Sequence, residues 1–301
     1  MRIAVAASPT VAIPTLISLR DSDHELIRII SQPDRPAGRG KSLLPTPVSV
    51  WALDNGVELV RPQSSSELIE SVKDVDLVVT IGYGKLIPEE ILTIPRYGFI
   101  NLHFSILPRW RGAAPVQRAI EAGDSLTGVT VFKLDRGMDT GPIFTIHRFA
   151  LDSDISADEL FEELSELGVG AVLETLEKIA SGVIPVPQRG EGATRAEKLT
   201  REEGLIDWRQ PADKVSAKIR AFTAKPGAWT HFRGAPIKVF RPTISSEILP
   251  PGELFIKEKR VLIGTSSFAL EIGSISAPGK QLMDAFSWAN GVRIQSGERC
   301  E

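Results

Sequence analysis

Cysteine is almost missing from this chain of 301 residues: Cys300, next to the carboxyl end, is the one copy. A lone cysteine excludes a disulfide framework and a cysteine metal site, and it fits a reducing compartment. Histidine is nearly as scarce. His24, His103, His147 and His231 stand too far apart for a histidine-based metal motif, so no metal is expected. No apolar run approaches the roughly 18 residues that a membrane span needs. The opening MRIAVAASP sets a basic residue before small apolar ones, but the apolar run stops at Ser8 and Pro9. A first buried strand explains it better than a leader peptide. These absences lead to the expectation of a soluble, cytoplasmic chain with no membrane partner.

Nucleotide loops are missing as well. GRGKS at 38–42 resembles the end of a phosphate-binding P-loop, but the first glycine of that motif would fall on Arg35. No GxGxxG occurs anywhere, which argues against a dinucleotide held in the usual Rossmann manner.

What is present is ordinary in bulk: 42% hydrophobic and 24% charged residues, net charge −3. Along the chain it is uneven. Residues 1–185 hold 17 Lys+Arg against 25 Asp+Glu, net −8, and residues 186–301 hold 18 against 13, net +5. A basic back half suits an anionic partner, and a merely solubilising surface equally.

Short Ile- and Val-rich runs at Arg2–Ala7, Glu25–Ser31, Asp76–Ile81 and Gly98–His103 read as strands buried on both faces. Helical patterns at Pro47–Asn55 and Ala114–Ala122 lie between and after them, the first opened by proline and both followed by glycine. The alternation implies an α/β fold with a doubly wound, mostly parallel sheet. Gly128–Leu134 and Pro142–Phe149 read as an antiparallel addition. A long helix is expected over Ala157–Ala180, opened by a Ser156/Glu159 capping box and closed by Gly182. Pro185–Thr194, with two prolines and two glycines, is the best linker candidate. Beyond it come a helical pattern at Ala212–Phe222 and β-like runs at Ile237–Phe240, Gly252–Ile256, Arg260–Ile263 and Phe268–Ile272, spaced for a small barrel.

Three segments carry chemistry. Asn101 and His103 lie two apart in an extended run, so both side chains leave one face while Leu102 leaves the other. Ser105, Leu107, Pro108 and Gly112 then break the strand, placing the pair near its carboxyl end. The plain alternative is a buried strand with one satisfied polar pair. Asp139, in DRGMDTG, sits on a turn whose glycines 137 and 141 let the backbone bend to aim a carboxylate at an imidazole. By itself it reads equally as an ordinary turn aspartate. The third segment, Ser31–Pro47, has four prolines, two glycines and the cations Arg35, Arg39 and Lys41 against Asp34. It reads as a long exposed loop, suited to phosphates or simply solvated.

SQPDRPAGRGKSLLPTPV, NLHFSILPRWRGAAPVQRAI, GVTVFKLDRGMDTG and AEKLTREEGLIDW together resemble the 10-formyltetrahydrofolate-dependent formyltransferase family. The basic loop and the AEKL segment are similar to the branch that acts on initiator methionyl-tRNA. The resemblance implies a Rossmann-like catalytic domain over 1–185, a linker over 186–203 and an OB-like β-barrel domain over 204–301 that helps hold tRNA. Asn101, His103 and Asp139 match the family's catalytic trio. Ser105, Ile106, Leu107 and Pro108 match its folate-contacting turn, with Ile106 replacing a leucine. Arg39 and Lys41 match basic positions used against the acceptor stem. The implied protein is a monomer, with 10-formyltetrahydrofolate as formyl donor and no metal. Phe104 stands where the family usually has glycine, which would strain the backbone if that position needs positive φ. AASP replaces the usual GTP-type turn after the first strand, and the last hundred residues match only loosely.

Overall fold

The computed structural model describes residues 1–37, 42–223 and 225–301. The apolar runs of the front half build one sheet from β1 (Arg2–Ala7), β2 (Glu25–Ile30), β3 (Glu58–Val60), β4 (Leu77–Ile81), β5 (Phe99–His103), β6 (Leu126–Lys133) and β7 (Ile143–Ala150). Their order is β7-β6-β5-β4-β1-β2-β3. Strands β5 through β3 along that order are parallel, whereas β6 runs antiparallel to β5, and β7 to β6. The doubly wound sheet and its antiparallel addition are both as the hydrophobic pattern implies. All of β4, and all but the first residue of β1, are buried, as parallel strands covered on both faces must be.

Chain order reverses at β1, with β2 and β3 on one side and β4 and β5 on the other. The space beyond the carboxyl ends of β1 and β4 is therefore the topological switch point, where open α/β sheets hold ligands. β5 is the next strand out.

Helices α1 (Ile13–Arg20), α2 (Pro47–Asp54), α3 (Ser65–Glu70), α4 (Pro115–Ala122) and α5 (Ala157–Ala180) accompany these strands in sequence. Their ends follow local chemistry. Thr46 accepts a hydrogen bond from the Ser49 amide at the start of α2, and Gly123 ends α4 with φ 75°. At α5 the capping box forms: Glu159 Oε2 accepts from the Ser156 amide at 2.8 Å, and the Glu159 amide donates to Ser156 Oγ at 3.4 Å. No helix among the described residues is long and apolar enough to cross a membrane.

Two compact units divide the chain: residues 1–112, 126–150 and 161–195 form one, and residues 113–125, 151–160 and 196–301 the other. In the first unit α5 packs on the β5 face opposite to Asn101 and His103. A Cβ on Gly168 would come within 2.6 Å of Leu102 Cδ2, and the buried Phe104 ring meets Phe161 edge-on at 6.0 Å. Phe104 is not among the described residues with left-handed φ, so the side chain in place of glycine brings no backbone strain and adds an anchor for α5.

The second unit holds α6 (Ala212–Ala221), β8 (Trp229–Phe232), β9 (Ala235–Ile244), β10 (Leu254–Lys257), β11 (Arg260–Ile263), β12 (Leu270–Ser276), β13 (Met283–Asp284) and α7 (Ala285–Val292). Its strands pair antiparallel in the order β8-β9-β12-β11-β10, with β13 added on β12. Val239, Leu262, Ile263, Leu270 and Ile275 are fully buried in it. An antiparallel β-sheet with two helices thus forms the back half, in keeping with the β-like runs and the helical pattern read there.

Candidate active site

His103 ends β5 and is 5% exposed. Its Nε2 lies 2.9 Å from the Trp110 carbonyl oxygen. A carbonyl only accepts, so Nε2 carries the hydrogen. Nδ1 then faces Asp139, whose Oδ2 is 3.8 Å away. Trp110 reaches over the ring because the chain turns back sharply after β5, through a cis Leu107–Pro108 peptide and a left-handed Trp110 at φ 63°. Phe132 of β6 meets the imidazole edge-on at 6.4 Å.

Asn101, two residues earlier, is fixed by Thr80 of the neighbouring strand β4. The Thr80 hydroxyl donates to Asn101 Oδ1 at 2.7 Å and lies 3.0 Å from the Ile100 carbonyl. With Oδ1 turned to Thr80, the amide Nδ2 is the outward atom, and no hydrogen bond to it forms among the described residues. Asn101 is thus a fixed donor awaiting an acceptor.

Asp139 comes from the turn between β6 and β7. Asp135 Oδ1 organises that turn, accepting from the Gly137 amide at 3.0 Å and the Thr140 hydroxyl at 2.7 Å. The two glycines do not serve as bends. Neither has left-handed φ; Asp139 itself does, at 54°. Gly137 and Gly141 are needed for close approach, since a Cβ would run into the Thr140 hydroxyl at one and into the Lys133 carbonyl at the other. The Asp139 carboxylate accepts from the Gly112 amide at 2.8 Å, which holds Oδ2 toward the imidazole.

The four residues of the 105–108 turn divide by burial. Ser105 is fully buried and donates to the Arg109 carbonyl at 2.7 Å. Leu107 is 3% exposed, and its amide donates to Thr130 Oγ1 at 3.1 Å. Thr130 Oγ1 in turn donates to the Ser105 carbonyl at 2.7 Å. Ser105 and Leu107 therefore brace the turn, while Ile106 and Pro108 are the partly exposed pair that can touch a ligand. Arg39 and Lys41 lie outside the described residues. Residues 35–37 and 42–44 pair antiparallel on either side of them.

Sequence reading singles out none of Thr80, Thr130, the Trp110 carbonyl or the Gly112 amide. Two are backbone groups with no residue-type signature. Thr80 and Thr130 read in sequence as ordinary strand threonines.

In chemical terms the site offers an amide donor, an imidazole oriented by a carboxylate, and a braced turn beside them at the carboxyl end of a parallel strand. That set suits attack on a carbonyl carbon, where charge grows on oxygen as a proton leaves the nucleophile.

Residues 1–176 match the formyl transferase family and residues 198–293 match the formyl transferase C-terminal domain. The methionyl-tRNA formyltransferase of Salinispora arenicola is 42% identical over 99% of both chains. That of Thermobifida fusca is 39% identical over the same share of each. Among solved structures, HypX from Aquifex aeolicus in complex with tetrahydrofolic acid superposes with a TM-score of 0.72 at 22% identity, over 99% of this chain and 48% of that one. Methionyl-tRNA formyltransferase from Clostridium thermocellum superposes with a TM-score of 0.59 at 18% identity, over 90% and 98%. At those identities the two structures speak for the fold alone. With both family matches in chain order and relatives near 40% identity along its whole length, this chain belongs to the formyl transferase family.

Proposed function

We propose that this protein transfers the formyl group of 10-formyltetrahydrofolate to the α-amino group of methionine on initiator tRNA, giving the N-formylmethionyl-tRNA that starts translation. What supports this reading is Asp139 facing His103, with Asn101 two residues earlier on the same strand, in a chain so similar to methionyl-tRNA formyltransferases. The folate supplies an activated formyl carbon. Asn101 Nδ2, its oxygen tied to Thr80, donates to the formyl oxygen as negative charge grows there. His103 Nε2 redirects its hydrogen bond from the Trp110 carbonyl to the same oxygen, and Nδ1 takes up, through water, the proton that the amine loses. Asp139 faces Nδ1 and accepts from it once that nitrogen has taken up the proton, as the carboxylate of a catalytic triad accepts from its histidine. Bond formation between amine nitrogen and formyl carbon is followed by breakage of the bond to the folate nitrogen, which leaves with the proton that the His103 ring had taken up.

Ser105, Ile106, Leu107 and Pro108 form the folate turn, with Ile106 and Pro108 as the contacting side chains. Arg39 and Lys41 take acceptor-stem phosphates, and the basic back half, net +5 over 186–301, takes others. In domain terms, 1–185 is catalytic, 186–203 links, and 204–301 is the OB-like tRNA-binding part. The protein works as a monomer in the cytoplasm, in keeping with its one, buried cysteine.

Radiolabelled formyl transfer to charged initiator tRNA, with charged elongator tRNA as control, tests the reading. Transfer to the initiator in strong preference is expected. Formate release unaffected by aminoacyl-tRNA, or formylation only of small amines, would overturn it.

A further inference from the structure

Gln188 lies in the segment expected to be a mere linker and between the two stretches that match the family, 1–176 and 198–293. It is partly buried while both neighbours are exposed, and every hydrogen-bonding group on its amide is used. Nε2 donates to the Asp139 carbonyl at 2.9 Å and to the Gly141 carbonyl at 2.8 Å. Oε1 accepts from Arg111 Nη2 at 2.6 Å and Nε at 3.2 Å. Two residues earlier, Val186 exchanges backbone hydrogen bonds with Ile143 at 2.7 and 2.8 Å. Six residues later, Thr194 receives the Trp110 amide on Oγ1 and the Arg111 amide on its carbonyl, both at 2.9 Å.

Residues 186–194 therefore grip both pieces of chain that hold His103. One is Trp110–Gly112, which supplies the carbonyl on Nε2 and the amide on Asp139. The other is Asp139–Gly141. Asp139 needs such a grip, because a left-handed φ in a residue other than glycine persists only where its surroundings dictate it. The Gln188 side chain bonds to both pieces at once.

We propose that Gln188 is a positioning residue for the formyl-transfer site: its amide locks the Asp139 backbone to Arg111 and thereby sets the carboxylate against His103. The proposal rests on the reading of Asn101, His103 and Asp139 given above.

The test is single-turnover formyl transfer at saturating methionyl-tRNA and formyl donor, for wild type, Gln188→Ala, Gln188→Glu, Asp139→Asn and Gln188→Ala/Asp139→Asn, with His103→Ala as reference. Gln188→Glu keeps the acceptor for Arg111 but loses both donors to the Asp139 turn. Each Gln188 variant is expected to lose about ten- to a hundred-fold in rate, the scale of a misplacement near 1 Å, with unchanged filter binding of tRNA. In the Asp139→Asn background the further loss from Gln188→Ala should be less than about two-fold, because residues acting through one another are not additive. A general folding defect would multiply with Asp139→Asn instead. Wild-type rates in both Gln188 variants, or an undiminished loss in the double variant, would overturn the proposal. Full activity in His103→Ala and Asp139→Asn would mark a different failure, that of the site reading itself, and the proposal would fall with it.

Discussion

Replacing Thr80 by valine removes one hydroxyl while keeping the shape of a buried strand residue, 3% exposed. That hydroxyl turns Asn101 Oδ1 inward, at 2.7 Å, and leaves Nδ2 facing out as donor. In the valine variant the transition state must hold Oδ1 against a methyl group, whereas the resting amide is free to rotate and satisfy its oxygen elsewhere. The difference is one neutral hydrogen bond plus partial desolvation of its acceptor, about 1–2 kcal/mol. Applied to the barrier, that amounts to roughly a 5- to 30-fold loss in rate. The ceiling is the loss of an oxyanion donor altogether, about 10²- to 10³-fold. The assay is kcat and KM for formyl transfer at saturating donor, with Thr80→Ser as control. The fall should appear in kcat, with KM for tRNA unchanged, and serine should restore most of it. Wild-type kcat in Thr80→Val would show that the orientation of Asn101 does not matter and would refute the reasoning.

Other expectations follow from close packing and burial. Gly141→Ala puts a methyl group against the Lys133 backbone carbonyl, which cannot rotate away; the Asp139 turn should shift and kcat fall about 10²-fold, and a rate within about three-fold of wild type would count against it. Phe104→Ala removes the buried ring that meets Phe161 and should cost about 3–5 kcal/mol in urea denaturation; a loss under about 1 kcal/mol would show that the ring is no anchor. Burial pushes the Cys300 thiol up to about 12, so the folded protein should resist thiol reagents at about pH 8 and react once in denaturant. Prompt stoichiometric labelling of the native protein would contradict that.

How far the sequence reveals the site depends on how local each cause is. Asn101 and His103 are legible together because the period of a strand is two and nothing else is needed to put them on one face. The capping box of α5 is legible because its partners lie three residues apart. Asp139 is visible as a turn residue, but it is distant from His103 along the chain, and their meeting is a product of the antiparallel β5-β6 pairing. The role of Gly137 and Gly141 is misread from sequence for a related reason: crowding by Thr140 and the Lys133 carbonyl exists only in the folded turn. Gln188 is the extreme case. Composition marks its segment as a proline- and glycine-rich connector, while its function lies in hydrogen bonds to Arg111, Asp139 and Gly141 that no local pattern announces. Short elements are lost too: β3 has three residues and no periodicity to detect.

The central claim is that His103, held between Trp110 and Asp139, carries the chemistry of formyl transfer. Single-turnover transfer from 10-formyltetrahydrofolate to saturating initiator methionyl-tRNA, compared between wild type and His103→Ala, tests it most directly. A fall of at least about 10²-fold in the rate constant, with unchanged tRNA binding, is predicted. A His103→Ala enzyme within a few-fold of wild type would contradict the account.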